Sequence, residues 1–291
     1  MSYDLYFTEP KIERDDFIAY FHDRQNYEVS DMQVFYQNED TGVYFLIDYN
    51  ESADEDPEAI ESTASLNLNY YRPHFFGLEA VDEISALIDH FQFSIHDPQN
   101  AGMADGPFSK EGFLRAWNHG NEFGYSAILQ GDNAPDKVWT IPTEQLESIW
   151  KWNYKKDAVQ ESFREDSFVP RVFFMAVGGK VVSVTVWPDA ISELIPRVDF
   201  LVIDKDELAP RSLFRGRKKD QVLLPFDELA FDFEPYVTSE HSLLAYTLPA
   251  PQVPENLRKR IRDLKQTGIT GEGISMDQVL NAEIVTKFKK G

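Results

Sequence analysis

The sequence predicts an α+β protein in two parts: a mixed or antiparallel sheet with helices on one side, followed by a second, β-rich α+β half. In residues 1–135, segments with a hydrophobic period of two alternate with segments of helical period. Their order (strand, helix, three strands, helix, strand, helix) favours an antiparallel or mixed sheet over a parallel one. The turn formers at 131–137 (GDNAPDK) then indicate a boundary between the two parts.

The N-terminal residues are predicted to form a strand, a helix and two further strands. The first strand is Tyr3–Phe7, and the helix covers residues 12–23, where acidic residues in the first turn interact favourably with the helix dipole. Strands at 29–37 and 43–49 flank Asn38–Gly42, a segment of turn-forming residues. The second of these strands is largely apolar on both faces, which predicts a central place in the sheet.

The stretch 64–91 shows the clearest change of period, from a strand to a helix. Apolar and polar residues alternate over 64–70, which predicts a strand with one buried face. Pro73 ends this strand, because proline disfavours helical geometry at the residue before it. From Leu78 onward the apolar residues share one helical face. The opposite face is assigned to four acidic residues, Glu79, Asp82, Glu83 and Asp89.

Further elements follow in the rest of the chain. Ser109 is placed to cap a helix that runs through Trp117. A helix is predicted at 143–163, and Gly178-Gly179 is suited to the two-residue turn of a hairpin. The glycines of Gly268–Gly273 (GITGEG) are interpreted as a linker before a last helix, Met276–Phe288, with Ser275 near its start. A phosphate loop is the alternative, but Gly-Lys-Ser/Thr and a preceding strand are missing.

The charge of the chain is unevenly distributed. The net charge is −22, and residues 1–135 hold 26 Asp and Glu against 6 Lys and Arg, whereas residues 136–291 hold 24 against 22. We therefore predict an acidic α+β domain at 1–135, a hairpin-containing α+β domain at 136–267, and a C-terminal helix after a Gly-rich linker at 268–291. Such an acidic excess repels nucleic acid and anionic membranes and favours basic partners, although it also serves solubility alone in many proteins.

The composition excludes several classes of protein. Hydrophobic residues make up 42% and aromatic residues 14% of the chain, which favours a packed core over disorder. No run of about 18 apolar residues occurs, so no transmembrane helix is predicted. Without Cys, the chain has no disulfide, no thiolate metal ligand and no cysteine nucleophile. The N-terminus lacks a signal-peptide pattern, and we expect a cytoplasmic protein.

An acidic segment between two predicted strands is the candidate contact site for a partner. It is read as an exposed loop, and its six carboxylates are those of Glu51, Asp54, Glu55, Asp56, Glu58 and Glu61. A solvated loop without a partner is the simpler interpretation. A calcium site is a further alternative, but the alternating ligands and the Gly of an EF-hand loop are missing.

The motifs of catalysis and of nucleic-acid binding give little support to either function. The six histidines form no HExxH pair, and the chain has no Gly-x-Ser-x-Gly sequence. His96 with Asp97, and His119 with Glu122, could join a metal site only through long-range contacts. The basic segment Arg211–Lys219 could bind nucleic acid, but the acidic field of the whole chain opposes this, and pairing with the acidic half is the alternative.

Three sequence blocks carry a resemblance to other proteins. YDLYF at 3–7, NEDTGVYF at 38–45 and NYYRPHFF at 69–76 resemble uncharacterised bacterial proteins with similar openings. The resemblance covers mainly residues 1–120 and identifies no catalytic residue. In style, a cysteine-free, acidic, aromatic-rich α+β chain is similar to bacterial toxin-immunity proteins. That similarity implies a protein that binds a cognate toxin and blocks it.

Together these features predict a non-enzymatic binding protein, an immunity-type inhibitor of a basic bacterial protein toxin. Its acidic half would steer association with the partner. We expect no cofactor, no metal and no catalytic residue. Two alternatives stay open: a metal-dependent hydrolase whose site combines dispersed His and Asp or Glu, and a structural module of a larger assembly.

Overall fold

The chain folds into two compact units, which we call unit 1 (Met1–Thr143 with Asp277–Gly291) and unit 2 (Glu144–Met276). The structure, a computed structural model, describes residues 1–50, 60–163, 168–205, 208, 221–238 and 241–289. Helices and several antiparallel and mixed sheets are present, so the predicted α+β class is confirmed. Within the described ranges, no helix combines the length and the apolar character needed to cross a membrane.

The helices and strands follow in chain order. The first part forms β1 Ser2–Phe7, α1 Arg14–Ala19, β2 Tyr27–Val29, β3 Gln33–Asn38, β4 Val43–Tyr49, β5 Ala64–Asn69, α2 Phe75–Phe91, β6 Ile95–His96, α3 Lys110–Gln130 and β7 Trp139–Ile141. The middle part forms α4 Thr143–Ser162, β8 Val172–Val177, β9 Lys180–Pro188, β10 Leu194–Pro196, β11 Phe200–Asp204, β12 Gln221–Pro225, α5 Ala230–Phe233, β13 Val237–Thr238, β14 Ala245–Thr247, α6 Glu255–Asp263 and β15 Gly271–Ile274. The last part forms β16 Val279–Asn281 and α7 Ala282–Phe288.

Unit 1 is built on a six-stranded sheet of order β2-β3-β4-β5-β1-β6, in which every neighbouring pair is antiparallel. Alternate residues of each strand are buried on one face, as a period of two requires. Helix α3 contacts this face where Phe113 meets Tyr3, with ring centroids 5.1 Å apart. Helix α1 contacts the same face where Phe17 meets Tyr49. The predicted antiparallel sheet with helices on one side is therefore confirmed.

Helix α2 differs from its prediction in two ways. It begins at Phe75 rather than near Leu78, so Phe75 and Phe76 belong to its first turn and are fully buried. Glu79 was assigned to the solvent face but is fully buried. The reason is geometric: Glu79 lies one turn after Phe75 and therefore on the same side of the helix.

Other boundaries also differ, whereas one predicted cap is confirmed. Helix α1 is limited to 14–19, and the predicted strand at 29–37 is divided into β2 and β3 by a turn. Ser109 caps α3 as predicted, because its hydroxyl accepts a hydrogen bond of 3.2 Å from the Gly112 amide.

The C-terminal residues do not form the predicted linker and long helix. The Gly-rich segment contributes strand β15, which pairs with β8 in unit 2. Strand β16 pairs in parallel with β7 in unit 1, and the last helix begins at Ala282 instead of Met276. A buried cluster joins α3 to these last elements through Tyr125, Leu129, Leu280 and Val285. The predicted division at 131–137 and 268 thus differs from the two compact units, since residues 268–291 are shared between them.

Unit 2 contains a five-stranded mixed sheet of order β12-β11-β9-β8-β15 and a three-stranded sheet of order β10-β14-β13. The predicted hairpin is confirmed in β8 and β9, and Gly178 and Gly179 have φ of 56° and 80°. Positive φ at both positions is what a type I′ turn requires. Helix α4 is joined to β8 by two hydrogen bonds between Asn153 and the backbone of Val172, of 2.7 and 2.9 Å.

Candidate functional site

The acidic charge of the protein is concentrated in unit 1. This unit holds 29 Asp and Glu against 10 Lys and Arg, a net charge of −19. Unit 2 holds 21 against 18, a net charge of −3. Ten basic side chains cannot neutralise 29 carboxylates, so the basic residues of unit 1 are too few to pair with most of its carboxylates.

Most of the predicted contact site lies outside the described residues, namely Glu51, Asp54, Glu55, Asp56 and Glu58. Glu61 is described and exposed, and it forms an ion pair with Lys11. The hydrogen bond from the Lys11 ammonium lowers the pKa of the Glu61 carboxyl. The basic segment 211–219 also lies outside the described residues.

Most basic side chains of unit 1 already contact a carboxylate of the same unit. Arg24 donates to Glu83 at 3.1 Å, and Lys110 donates to Asp82 at 2.7 Å. Four further pairs are found among the described residues: Lys11–Glu61, Arg14–Asp15, Arg72–Asp277 and Lys287–Glu122. Most cations of unit 1 are thus already paired, and its excess charge is carried by carboxylates.

A group of exposed carboxylates lies along the segment 13–31, which includes α1 and the edge strand β2. We call this group the acidic margin; it comprises Glu13, Asp16, Asp23, Glu28 and Asp31. Within the part of the chain that the structure describes, none of these five side chains forms an ion pair. The two arginines of the segment point to other partners, since Arg14 bonds Asp15 and Arg24 bonds Glu83. The acidic margin therefore remains available to a cationic partner.

Two carboxylates of α2 face the interior and are not available to a partner. Glu79 accepts hydrogen bonds from Tyr36, Asn38 and Thr41, at 2.8, 2.9 and 3.0 Å. Glu83 accepts from the Tyr27 hydroxyl at 2.8 Å as well as from Arg24. Had the predicted helix begun at Phe75 and Phe76, the sequence would have indicated that Glu79 is buried.

Two asparagines hold the corner between β5 and α2. The side chain of Asn121 accepts hydrogen bonds from the amides of Tyr71 and Arg72, at 2.8 and 3.2 Å, and donates to the Arg72 carbonyl at 2.9 Å. Asn281, fully buried, accepts from the His74 amide at 2.9 Å and lies 2.7 Å from His74 Nδ1. The corner is therefore fixed by residues from α3 and β16, which sequence periodicity does not connect.

Within the described part of the chain, the histidines do not assemble the metal site of the alternative hypothesis. His96 Nδ1 lies 2.5 Å from the Asp105 carboxylate, and the Asp97 carboxylate accepts a hydrogen bond from the Tyr3 hydroxyl at 3.3 Å. Glu122 pairs with Lys287. Among the residues with a described position, no group of three or more His, Asp or Glu could hold a metal ion.

Among the described residues of unit 2, one buried carboxyl has no hydrogen-bond partner. Glu193 is fully buried, and neither of its carboxyl oxygens meets a donor within the described ranges. Burial alone raises the pKa of this carboxyl well above its usual value. Burial therefore favours the protonated, neutral form of Glu193 over the charged form.

Comparison of the chain with protein-family models, with curated proteins and with solved structures finds no match.

Proposed function

We propose that this protein binds a basic protein partner through the carboxylates of unit 1, and that it acts as an immunity-type inhibitor of a basic protein toxin. The observation that supports the proposal is the charge of −19 on unit 1, which its ten basic residues leave uncompensated. The acidic margin supplies exposed carboxylates without ion pairs in the described residues. The acidic segment around Asp54–Glu58 is proposed to add to this surface.

Electrostatic complementarity gives such a complex its association rate and its specificity more than its affinity. An uncompensated field of one sign raises the rate of encounter with an oppositely charged protein, and salt screens this effect over a distance of about 10 Å at 0.1 M ionic strength. We therefore expect binding to weaken steeply with salt, mainly through a slower association.

The proposal is tested by capturing partners from cells of the native host with the full chain at about 50 mM and about 300 mM NaCl. The expected result is a basic protein retained at low salt and released at high salt. The purified partner is then mixed with this protein. Inhibition of the partner's toxic activity should saturate at one molecule of this protein per molecule of partner. A captured protein whose activity is unaffected would contradict the inhibitor function.

Charge-matched variants locate the surface. The margin variant replaces the acidic margin with amides: Glu13→Gln, Asp16→Asn, Asp23→Asn, Glu28→Gln and Asp31→Asn. Its control removes five exposed carboxylates from unit 2: Glu161→Gln, Glu228→Gln, Glu234→Gln, Glu255→Gln and Glu272→Gln. We expect the margin variant to bind about tenfold more weakly and the control to change affinity less than about twofold. Equal losses in both variants would show that total charge matters rather than the acidic margin.

A third variant tests the predicted contact segment separately. It combines Asp54→Asn, Glu55→Gln, Asp56→Asn and Glu58→Gln. A loss of affinity comparable to that of the margin variant is expected if both regions contact the partner. Unchanged affinity would remove this segment from the proposed surface.

A further inference from the structure

A small pocket in unit 1 combines cationic and aromatic side chains, unlike the acidic surface of the unit. Its volume is about 270 Å³, and it is lined by Tyr71, Arg72, Pro135, Lys137, Val138, Trp139, Asp277, Gln278 and Leu280. Three chain segments meet here: the corner after β5, the residues around the start of β7, and the residues that lead into β16. The volume lies just below the range of about 300–1,000 Å³ that is usual for ligand pockets, so it suits a small ligand.

The aromatic wall is rigidly positioned. Tyr71 has φ of 61°, a left-handed conformation that is costly for a bulky residue. Its amide is held by Asn121, and its ring packs against Tyr125 at a centroid distance of 5.2 Å. Strained residues of this kind persist only where the surroundings fix them, and they cluster at binding sites.

Arg72 lines the pocket, and hydrogen bonds hold its guanidinium group. Its Nε and Nη2 donate to the Tyr44 hydroxyl at 2.9 and 2.6 Å, and its Nη1 donates to the Tyr71 carbonyl at 3.0 Å. These bonds fix the plane of the guanidinium. Each terminal nitrogen carries two N–H groups, so each retains one that has no acceptor among the described residues. A planar guanidinium with donors on both terminal nitrogens matches a carboxylate or phosphate group.

Lys137 adds a second positive charge. Its Nζ lies 3.6 Å from the centroid of the Trp139 ring, so the ring holds the ammonium at the pocket wall. The side chain is exposed and forms no ion pair in the described ranges. Asp277 is the one carboxylate among the described residues of the lining, and it lies 3.9 Å from Arg72 Nε.

We propose that this pocket binds a small aromatic anion, in which a carboxylate or phosphate group contacts Arg72 and Lys137 and a planar apolar group contacts Tyr71 and Trp139. Two cations against one carboxylate make the pocket a positive site within a unit of charge −19. This ligand site is separate from the acidic margin, so the two proposals stand or fall independently.

The experiment titrates the full chain with four probes: benzoate, phenyl phosphate, benzamide and inorganic phosphate. The readout is the indole N–H signal of Trp139 in a nitrogen–proton correlation spectrum, assigned with Trp139→Phe. We expect saturable shifts with a Kd on the order of 0.1–1 mM for at least one of the two aromatic anions. The tighter of the two identifies the anionic group. Benzamide and inorganic phosphate should bind at least about tenfold more weakly, since each lacks one of the two recognised features.

Three variants test the roles of the charged residues. Lys137→Ala should weaken binding about fivefold or more, whereas Asp277→Asn should tighten it about threefold by removing the competing carboxylate. Lys110→Ala is the control, because this lysine lies on α3 and contacts Asp82. Lys137 is exposed, so its replacement leaves the fold intact. The proposal is overturned if no aromatic anion shifts the Trp139 signal up to about 10 mM, if benzamide binds as well as benzoate, or if Lys137→Ala and Lys110→Ala behave alike.

Discussion

The hydroxyl of Tyr36 lies 2.8 Å from Oε1 of Glu79, and both residues are buried in unit 1. Asn38 and Thr41 donate to the same oxygen. The Glu79 carboxylate of α2 therefore forms hydrogen bonds with the end of β3 and with the turn before β4. Burial, and then the charge of Glu79, raise the pKa of the Tyr36 hydroxyl. Tyr36 thus stays protonated as a donor, and the hydrogen bonds of the Glu79 carboxylate attach the β3–β4 hairpin to α2.

We expect Glu79→Gln to lower the free energy of unfolding by about 1–3 kcal/mol, because three donors lose a charged acceptor and the new amide brings buried donors of its own. The measurement is urea unfolding, with amide exchange in β3 and β4 as the probe of unit 1. Asp82→Asn on the same helix is the control, since it removes an ion pair that is half exposed and should change stability by less than about 0.5 kcal/mol. Equal losses of stability in Glu79→Gln and Asp82→Asn would show that the hydrogen bonds of Glu79 do not specifically stabilise unit 1.

Glu193 should make unit 2 less stable as the pH rises. In the unfolded chain this carboxyl ionises near pH 4.3, whereas in the folded protein burial raises its pKa and keeps it protonated. Below about pH 4.3 the raised pKa of Glu193 does not destabilise unit 2. Above that pH the free energy of unfolding falls by up to about 1.4 kcal/mol per pH unit until the pH reaches the folded-state pKa. Glu193→Gln removes the titration, so its stability relative to wild type should increase as the pH rises above about 4.5.

The pH series is measured by urea unfolding with probes in β10 and β14. Exposed Glu161→Gln in α4 serves as the control and should show a difference from wild type that does not vary with pH. A pH-independent difference for Glu193→Gln as well would mean that Glu193 is ionised in the folded protein.

Asn121→Ala should destabilise unit 1 by about 1–3 kcal/mol, because two part-buried amides of the corner lose their acceptor and the Arg72 carbonyl keeps only its bond from the Tyr125 hydroxyl. Asn118→Ala, at an exposed position of the same helix, is the matched control and should have little effect. Thermal unfolding and the chemical shifts of Tyr71 and Arg72 report the result. If shifts in the corner are unchanged in Asn121→Ala, then Asn121 does not hold it.

The turn of the β8–β9 hairpin gives a test of backbone geometry. Gly179→Ala should cost about 1–2 kcal/mol, since a residue with Cβ is strained at φ of 80°. Gly178→Asn should be tolerated, because asparagine adopts the left-handed conformation at the first position of such turns. Gly273→Ala in β15 is the control: the added methyl group would have open space around it. The unfolding midpoint of unit 2 distinguishes these outcomes.

The sequence predicts the parts of this fold that depend on neighbouring residues. The Ser109 cap, the Gly178-Gly179 turn and the alternating strand β5 are each determined within a few positions, and the structure has all three. The prediction for Glu79 was wrong because the helix was started near Leu78, whereas a start at Phe75 places Glu79 on the buried side. Its hydrogen-bond donors lie in β3 and the following turn, and no pattern within α2 identifies them.

The candidate sites divide in the same way. The concentration of carboxylates in the N-terminal part follows from counting residues and needs no structure. The pocket cannot be predicted from the sequence, because Tyr71, Lys137 and Asp277 belong to three distant segments that meet through α3, β7 and β16. The basic residues that line it contribute little to the total charge, so composition points away from an anion site.

The parallel pairing of β7 with β16 affects the order in which the protein can be completed during synthesis. The first 143 residues emerge from the ribosome well before Val279–Asn281, which also supplies the Asn281 contact to the His74 amide. Until then Tyr125 and Leu129 lack the apolar cover that Leu280 and Val285 provide. Synthesis of unit 1 thus begins before that of unit 2 and ends after it. A nascent chain stalled inside unit 2 would carry an incomplete unit 1 with an exposed, aggregation-prone apolar surface.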